Sequence, residues 1–354
     1  MTGTGYDTDL LVVGGGPAGL ATAVHAARAG LDVVVCDPRR TPIDKACGEG
    51  LMPGGLARLH ALGVDPPGVA FTGFAYLDGV GNRAETRFPH GPGRGVRRTA
   101  LHAALATAAT HAGAHWSSTK VHRVAQDADS VTAAGVRARW LVAADGLHSG
   151  VRRRLNVPTT SGTPRRFGLR RHWRIRAWSE LVEVTWAAHA EAYVTPVDAD
   201  LVGVALLYRP QRGAASPATD AYTRLLSGFP ALAARLASAE PVGPVRGAGP
   251  LRCLPRGRVH GRVLLVGDAA GYEDALTGEG ISLALAQAQA AVAAILAREP
   301  AHYERAWRRI TRQYRLLSRA LVLATTPPIG RRLIVPLCAT APALFRHTVN
   351  ALAH

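Results

Sequence analysis

The segment Gly14-Gly15-Gly16-Pro17-Ala18-Gly19 narrows the choice of fold more than any other stretch of this chain. It follows the apolar run Asp9-Leu10-Leu11-Val12-Val13, which reads as a buried strand, and precedes Leu20 to Arg28, which reads as a helix. Gly14 permits the tight turn, Gly16 lets a pyrophosphate approach the backbone, and Gly19 lets the helix pack closely on the strand. With Pro17 and Ala18 completing the turn, unpaired N–H groups at the helix N-terminus face the phosphate oxygens. A second strand, Asp32-Val33-Val34-Val35-Cys36, ends at Asp37, the spacing of an acid that hydrogen-bonds a ribose hydroxyl pair and disfavours a 2′-phosphate.

Two acidic turns follow. In Trp140-Leu141-Val142-Ala143-Ala144-Asp145-Gly146 a strand runs into Asp-Gly, with Ser149 and Arg152 at three-residue steps beyond; in Arg262-Val263-Leu264-Leu265-Val266-Gly267-Asp268 another strand ends on Gly-Asp, ahead of Gly271, Gly278, Gly280 and an alanine-rich helix. With these three signatures in one order, the chain resembles the FAD-dependent monooxygenase superfamily of the aromatic-hydroxylase type, and within it the geranylgeranyl-reductase-like branch. The resemblance implies that Asp268 holds the ribityl or ribose part of FAD and that the Asp145-Gly146 turn serves both FAD and a docking nicotinamide. It places the Leu276 to Ile281 loop, with Gly278, Gly280 and Ile281, beside the flavin pyrimidine edge, where N–H groups and the helix dipole stabilise negative charge.

Two further segments extend the likeness. Gly95-Val96-Arg97-Arg98-Thr99-Ala100-Leu101 resembles the family's arginine-opened helix, with Arg98 as the residue that touches FAD. Ile43-Asp44-Lys45-Ala46-Cys47-Gly48-Glu49-Gly50-Leu51 resembles the Cys-Gly segment of the reductase branch, which passes over the isoalloxazine ring and borders the substrate cavity. There are departures as well. The His and Pro that hydroxylases carry after Gly-Asp are absent, and Glu191-Ala192-Tyr193-Val194-Thr195-Pro196 stands where geranylgeranyl reductases have an aromatic-rich motif.

The expected fold class is α/β, a Rossmann-like FAD-binding domain interleaved with an antiparallel β-sheet substrate domain, plus C-terminal helices. The FAD-binding pieces are residues 1–70, 95–157 and 250–298; the substrate domain takes 71–94 and 158–249; the C-terminal helical region is 299–354. Phe71 to Leu77 and Arg83 to Phe88 read as a strand pair, and Phe167 to Ile175, Leu181 to Trp186, Glu191 to Thr195 and Val202 to Tyr208 as strands of a sheet roofing the flavin. His302 to Leu323 has helical spacing, whereas Leu333 to Phe345 is apolar and broken by Pro336 and Pro342. This region is read as a helical cap on the FAD domain or on a second subunit, the alternative being an amphipathic surface that touches membrane. A homo-oligomer is left open.

A formal charge of +17 would ordinarily point to nucleic acid. Here all basic residues but Lys45 and Lys120 are arginine, scattered without interleaved aromatics, so solvated surface and steering of an anionic nicotinamide are the better reading and no nucleic-acid partner is expected. Four cysteines without CxxC spacing fit a reducing cytoplasm and neither a disulfide framework nor a metal site. No signal peptide or membrane span is expected.

Only one dinucleotide fingerprint is present, so NADPH or NADH is expected as a transient reductant. The first expectation is a monooxygenase using O2 to hydroxylate a lipophilic phenolic or polyketide-derived small molecule. His172, Tyr193 and Arg170 on roof strands are the candidates for contact with the phenol, with Glu279 nearby. The alternative is a flavin-dependent reductase of the C=C bond of an isoprenoid or enone, in which Cys47 is the candidate proton donor. A halogenase relying on Lys45, and a non-enzymatic FAD-binding protein, are the remaining readings.

Overall fold

The computed structural model describes residues 5–160, 165–210 and 217–352, so parts of the expected units at 1–4, 161–164, 211–216 and 353–354 lie outside the described residues. The first sheet has the strand order Val259–His260, Val263–Leu265, Val136–Ala143, Thr8–Val13, Val33–Cys36, His115–Ser117. Its central pairings are parallel, with Leu10 opposite Val33 on one side and Trp140 on the other. Parallel strands need crossovers that cover both faces, which is why Leu10-Leu11-Val12 is apolar without alternation and fully buried. Helix Pro17–Arg28 packs between the sheet and helices Arg98–His111 and Gly280–Leu296, forming one core that includes Leu20, Val24, Leu105, Leu264 and Ala288.

The second sheet has seven strands in the order Glu240–Ala248, Phe167–Arg174, Leu201–Tyr208, Ala190–Asp198, Val182–Trp186, Gly73–Asp78, Arg83–Arg87. Every pairing is antiparallel except that of Val182–Trp186 with Gly73–Asp78, which is parallel. Side chains alternate between its faces. Leu169, Ala192, Val194, Val204 and Leu206 pack under helices Ala218–Leu226 and Pro230–Leu236, while Arg170, Tyr193, Ala205 and Leu207 face the first sheet across a cleft. Strand Glu240–Ala248 was not among the sequence expectations, because Pro241 and Pro244 interrupt it; it lies at the sheet edge, where a missing N–H costs no ladder bond. A three-stranded sheet of Gly50–Leu51, Gly93–Gly95 and Val69–Phe71 joins the two halves.

The C-terminal helices touch both halves. Pro300–Ala324 buries Tyr303, Trp307, Thr311, Tyr314 and Ser318, and the Tyr303 hydroxyl donates to the Leu265 carbonyl at 2.7 Å. Pro328–Thr340 and Pro342–Leu352 pack on the roof edge, where the Phe345 and Tyr76 rings lie 4.7 Å apart. Pro342 begins a helix, as its fixed φ favours, but Pro336 differs from expectation by lying inside one. The carbonyl it leaves without a donor belongs to the exposed Arg332, so water can serve it.

Candidate active site

Most of the sequence-derived residues line one cavity of about 630 Å³ between the two sheets. Gly16, Pro17, Ala18 and Arg98 line one part of it; Asp145, Gly267, Asp268, Gly278, Gly280 and Ile281 line the floor; Cys47, Arg170 and Tyr193 stand on the remaining wall. Gly14, Gly19, Asp37, His172 and Glu279 are not in that lining.

Each glycine of the first turn answers a different constraint. Gly14 has φ +107°, and a Cβ there would meet the Ala144 carbonyl oxygen at 2.5 Å; a Cβ on Gly19 would lie 1.8 Å from the Gly14 carbonyl oxygen. Gly16 is different, because a Cβ there would have only Arg98 Nη2, at 3.8 Å, within 4 Å. The space it keeps is on the cavity side. Gly15 is held at both polar groups: its N–H donates to Asp37 Oδ2 at 2.8 Å, and its carbonyl accepts from His102 Nε2 at 2.8 Å. Burial keeps the His102 pKa low, so the ring is neutral and donates through this nitrogen.

Asp37 is 2% exposed and already engaged, with both oxygens bonded to Arg39 and one to Gly15. Burial opposes its charge, but the bonds from Arg39 and the two N–H groups outweigh it and hold the carboxyl below its ordinary pKa. A ribose therefore reaches Asp37 only by displacing the half-exposed Arg39, which itself lines the cavity.

Arg98 is 7% exposed, yet its guanidinium makes no hydrogen bond or ion pair among the described residues. Burial lowers its pKa, against the pull of Cys47, Asp268 and Glu49. An unpaired buried cation is costly, and it stands here beside a glycine kept clear and a helix N-terminus with no side-chain cap. That combination fits a pyrophosphate.

The acidic turns are stapled together. Asp145 Oδ2 accepts the Val151 N–H at 3.0 Å, beside the N-cap Ser149 of helix Gly150–Arg154, leaving Oδ1 buried and unbonded. Arg152 donates to the Leu147 carbonyl at 2.7 Å and to the Ala269 carbonyl at 2.9 Å, bridging the Asp145 turn to the Asp268 turn. Lys45 Nζ lies 3.0 Å from Asp268 Oδ2, and both are partly exposed, so a ligand can enter between them.

On the roof side the expectations separate. Arg170 lines the cavity but is bound to Asp44 Oδ1 at 2.5 Å and to the Lys45 carbonyl at 3.2 Å. The Asp44 carboxyl, with Arg246 on its other oxygen at 2.9 Å, sits below its ordinary pKa: burial opposes the charge and the two arginines more than compensate. His172 does not face the cavity. Its Nε2 lies 2.6 Å from Glu49 Oε2, its Nδ1 3.1 Å from Arg170 Nη1, and the residue is 3% exposed. Its place as a catalytic candidate is corrected accordingly: strand alternation puts it on the inner face, but Glu49 closes the space in front of it. Tyr193 reaches the cavity, and its hydroxyl donates to the Leu276 carbonyl at 3.1 Å. Burial, aided by Glu191, pushes its pKa well above the usual phenol value, which removes it as a base near neutral pH.

Glu49 is the residue that sequence reasoning missed. It is 2% exposed at φ +61°, accepts the Arg98 N–H at 2.7 Å through Oε1, and bonds His172 through Oε2. The signal available in the sequence was a carboxylate set between two glycines, Gly48 and Gly50, inside the cysteine segment. Cys47 Sγ accepts the Glu49 N–H at 3.3 Å; burial raises the thiol pKa, only partly offset by Arg98, so the group is a thiol at neutral pH. Glu279 is buried with Oε2 unbonded, and burial pushes its pKa up to about 8.

Residues 7–305 match the family described as FAD binding domain. The fold and the cavity thus define an FAD-binding flavoprotein, and the chain belongs to that family. It is 37% identical over 163 residues to a menaquinone reductase of Mycobacterium tuberculosis (strain ATCC 25618 / H37Rv), a match covering 42% of this chain and only 40% of the relative. It is 29% identical over 311 residues to digeranylgeranylglycerophospholipid reductase 1 of Methanothermobacter thermautotrophicus, covering 78% of this chain and 73% of that one. The flavin-dependent halogenase CmlS superposes with a TM-score of 0.80 at 20% identity, over 97% of this chain and 72% of that chain, a likeness of fold. The resemblance drawn from the glycine and aspartate turns holds, both for the flavin superfamily and for kinship with geranylgeranyl-type reductases.

Proposed function

We propose that this chain is an FAD-dependent reductase that saturates a C=C bond of a lipophilic, isoprenoid-type molecule, with NADH or NADPH as transient reductant. The observation that carries the reading is Cys47, a thiol on the cavity wall that burial keeps protonated. FAD would supply the hydride; the chain must then supply a proton to the other carbon. Cys47 can give that proton and recover it from solvent. The Glu49 N–H that the sulfur accepts stabilises the thiolate while it is deprotonated.

The wall has the composition such a substrate requires. Met52, Phe74, Val182, Leu207 and Leu251 line it, so an alkyl chain is exchanged from water into apolar surface. The relative aligned over most of this chain carries the name of a digeranylgeranylglycerophospholipid reductase, in keeping with the reading. Oxygen transfer to a phenol, the first expectation from sequence, asks the wall for a base. Tyr193 is spent on the Leu276 carbonyl and too weakly acidic, and His172 is turned to Glu49 and Arg170.

The experiment is turnover of polyprenyl and phenolic candidates with NADPH, once without oxygen and once under 18O2. A product heavier by two hydrogens, formed anaerobically and free of label, is expected. Labelled product with no anaerobic turnover would overturn the proposal.

A further inference from the structure

Six of the nine large apolar side chains exposed among the described residues lie in the C-terminal helices: Leu316, Leu323, Ile329, Leu333, Leu337 and Leu344. They are ordered on those helices. In Pro300–Ala324 the buried face is Tyr303, Trp307, Thr311, Tyr314 and Ser318; the exposed face carries Arg309 and Arg312 and then, one turn at a time, Leu316, Ala320 and Leu323. In Pro328–Thr340, Ile329, Leu333 and Leu337 recur at every fourth residue, while Arg331 and Val335 are buried. A short connection at 325–327 joins the two stripes.

The charge around them has one sign. Residues 305–354 contain nine arginines and no aspartate or glutamate. Arg309, Arg312, Arg332 and Arg346 are exposed and make no ion pair among the described residues. Single exposed leucines need no explanation, but a run of them on successive helix turns, edged by unpaired arginines, is the pattern of a face that meets an apolar layer beneath an anionic one.

We propose that this face is a peripheral docking surface for an anionic lipid bilayer, with the leucine stripe in the acyl boundary and the arginines on the headgroup phosphates. No helix among the described residues is long and apolar enough to cross a membrane, so the helices lie on the bilayer. A second copy of the chain is the poorer occupant, because a symmetric contact would set arginine against arginine with no acid to pair. The docked helix is close to the chemistry: Pro328–Thr340 packs on strands Gly73–Asp78 and Arg83–Arg87, and Phe74 of the first of these lines the cavity. A lipophilic substrate would thus leave the bilayer next to the cavity wall. The proposal goes beyond the reductase reading and can be tested without turnover.

The experiment is flotation of the full chain with phosphatidylcholine vesicles and with vesicles containing about one third phosphatidylglycerol. Binding to the anionic vesicles, weakened by salt, is expected. The variant Leu316→Ser/Leu323→Ser/Leu333→Ser/Leu337→Ser keeps every charge; its affinity for those vesicles should fall about tenfold or more while its bound flavin and melting temperature stay as in the wild type. Failure of the wild type to float with anionic vesicles overturns the proposal. So does undiminished binding by the variant, which would mean attraction by net charge alone, and so does a dimer in sedimentation that the variant abolishes while neither protein floats.

Discussion

Glu49 Oε2 lies 2.6 Å from His172 Nε2, so a residue of the cysteine loop and one of the roof sheet, 123 positions apart, share a hydrogen bond buried from solvent. Through its other oxygen the same carboxylate takes the Arg98 N–H, the first of the helix that opens toward the cavity. One side chain thereby fixes the cysteine loop, the arginine helix and the roof.

Removing it should be expensive. Glu49→Ala leaves the Arg98 N–H and His172 Nε2 without their partner, while Arg170 keeps Asp44 and the Lys45 carbonyl, and breaking a buried charged contact of this kind costs about 3–5 kcal/mol. Glu49→Gln keeps an acceptor and should lose roughly half as much or less. Urea unfolding of the two variants checks the order; equal loss would show that the carboxylate charge carries no part of the effect.

Arg98 should behave in the opposite sense. Because its buried guanidinium has no partner among the described residues, Arg98→Met is expected to stabilise the FAD-free protein by about 1–3 kcal/mol. The same change should weaken FAD by about 10- to 100-fold, since a charged hydrogen bond to phosphate is worth about 1.5–3 kcal/mol. Thermal unfolding of the stripped protein and FAD titration give the two signs separately. A variant less stable without FAD would show that Arg98 is a structural residue.

These cases mark what could be read in advance. The Gly14 turn, Asp145 and Asp268 are local strand-to-turn patterns, and neighbours in sequence suffice to place them on the cavity or next to it. The roof strands were legible from their two-residue period, and Arg170 and Tyr193 on them line the cavity. What period cannot tell is which inward residue another segment covers. His172 is masked by Glu49, and Glu191, on the same face, is sealed with Arg166 and by Arg331 from the C-terminal helix, an ion-paired cluster assembled from three distant segments. No local pattern records such a meeting. The same holds for the C-terminal region, where helical spacing marked His302 to Leu323 but not the helix running through Pro336, and left open what the region packs against.

Cys47 carries the chemical proposal and has a direct test. As a proton donor its loss should reduce turnover by about 100-fold or more, in the range usual for acid–base groups, with FAD content unchanged. Cys47→Ser puts an O–H of similar size in place of the S–H, so it should retain more activity than Cys47→Ala, and stopped-flow reduction of the flavin by NADPH should be normal in both. Equal and undiminished rates of substrate reduction would remove Cys47 from the reaction.

Glu279 makes the stability of the fold depend on pH in a defined direction. Its carboxyl is buried with Oε2 unbonded, and its pKa is pushed from 4.5 in the open chain to about 8 in the folded protein. Below about pH 4.5 both states are protonated and the group is neutral toward folding. Between 4.5 and 8 the folded chain still holds the proton that the unfolded chain has lost, so stability falls as pH rises, by up to about 1.4 kcal/mol per unit, and levels off above 8. Glu279→Gln removes this titration while keeping the shape. Denaturant unfolding at about pH 5 and 8 should show the variant gaining on the wild type by a few kcal/mol at the higher pH and little at the lower. Parallel curves for the two proteins would mean that Glu279 is charged in the fold, its carboxylate then satisfied by water or by the flavin loop.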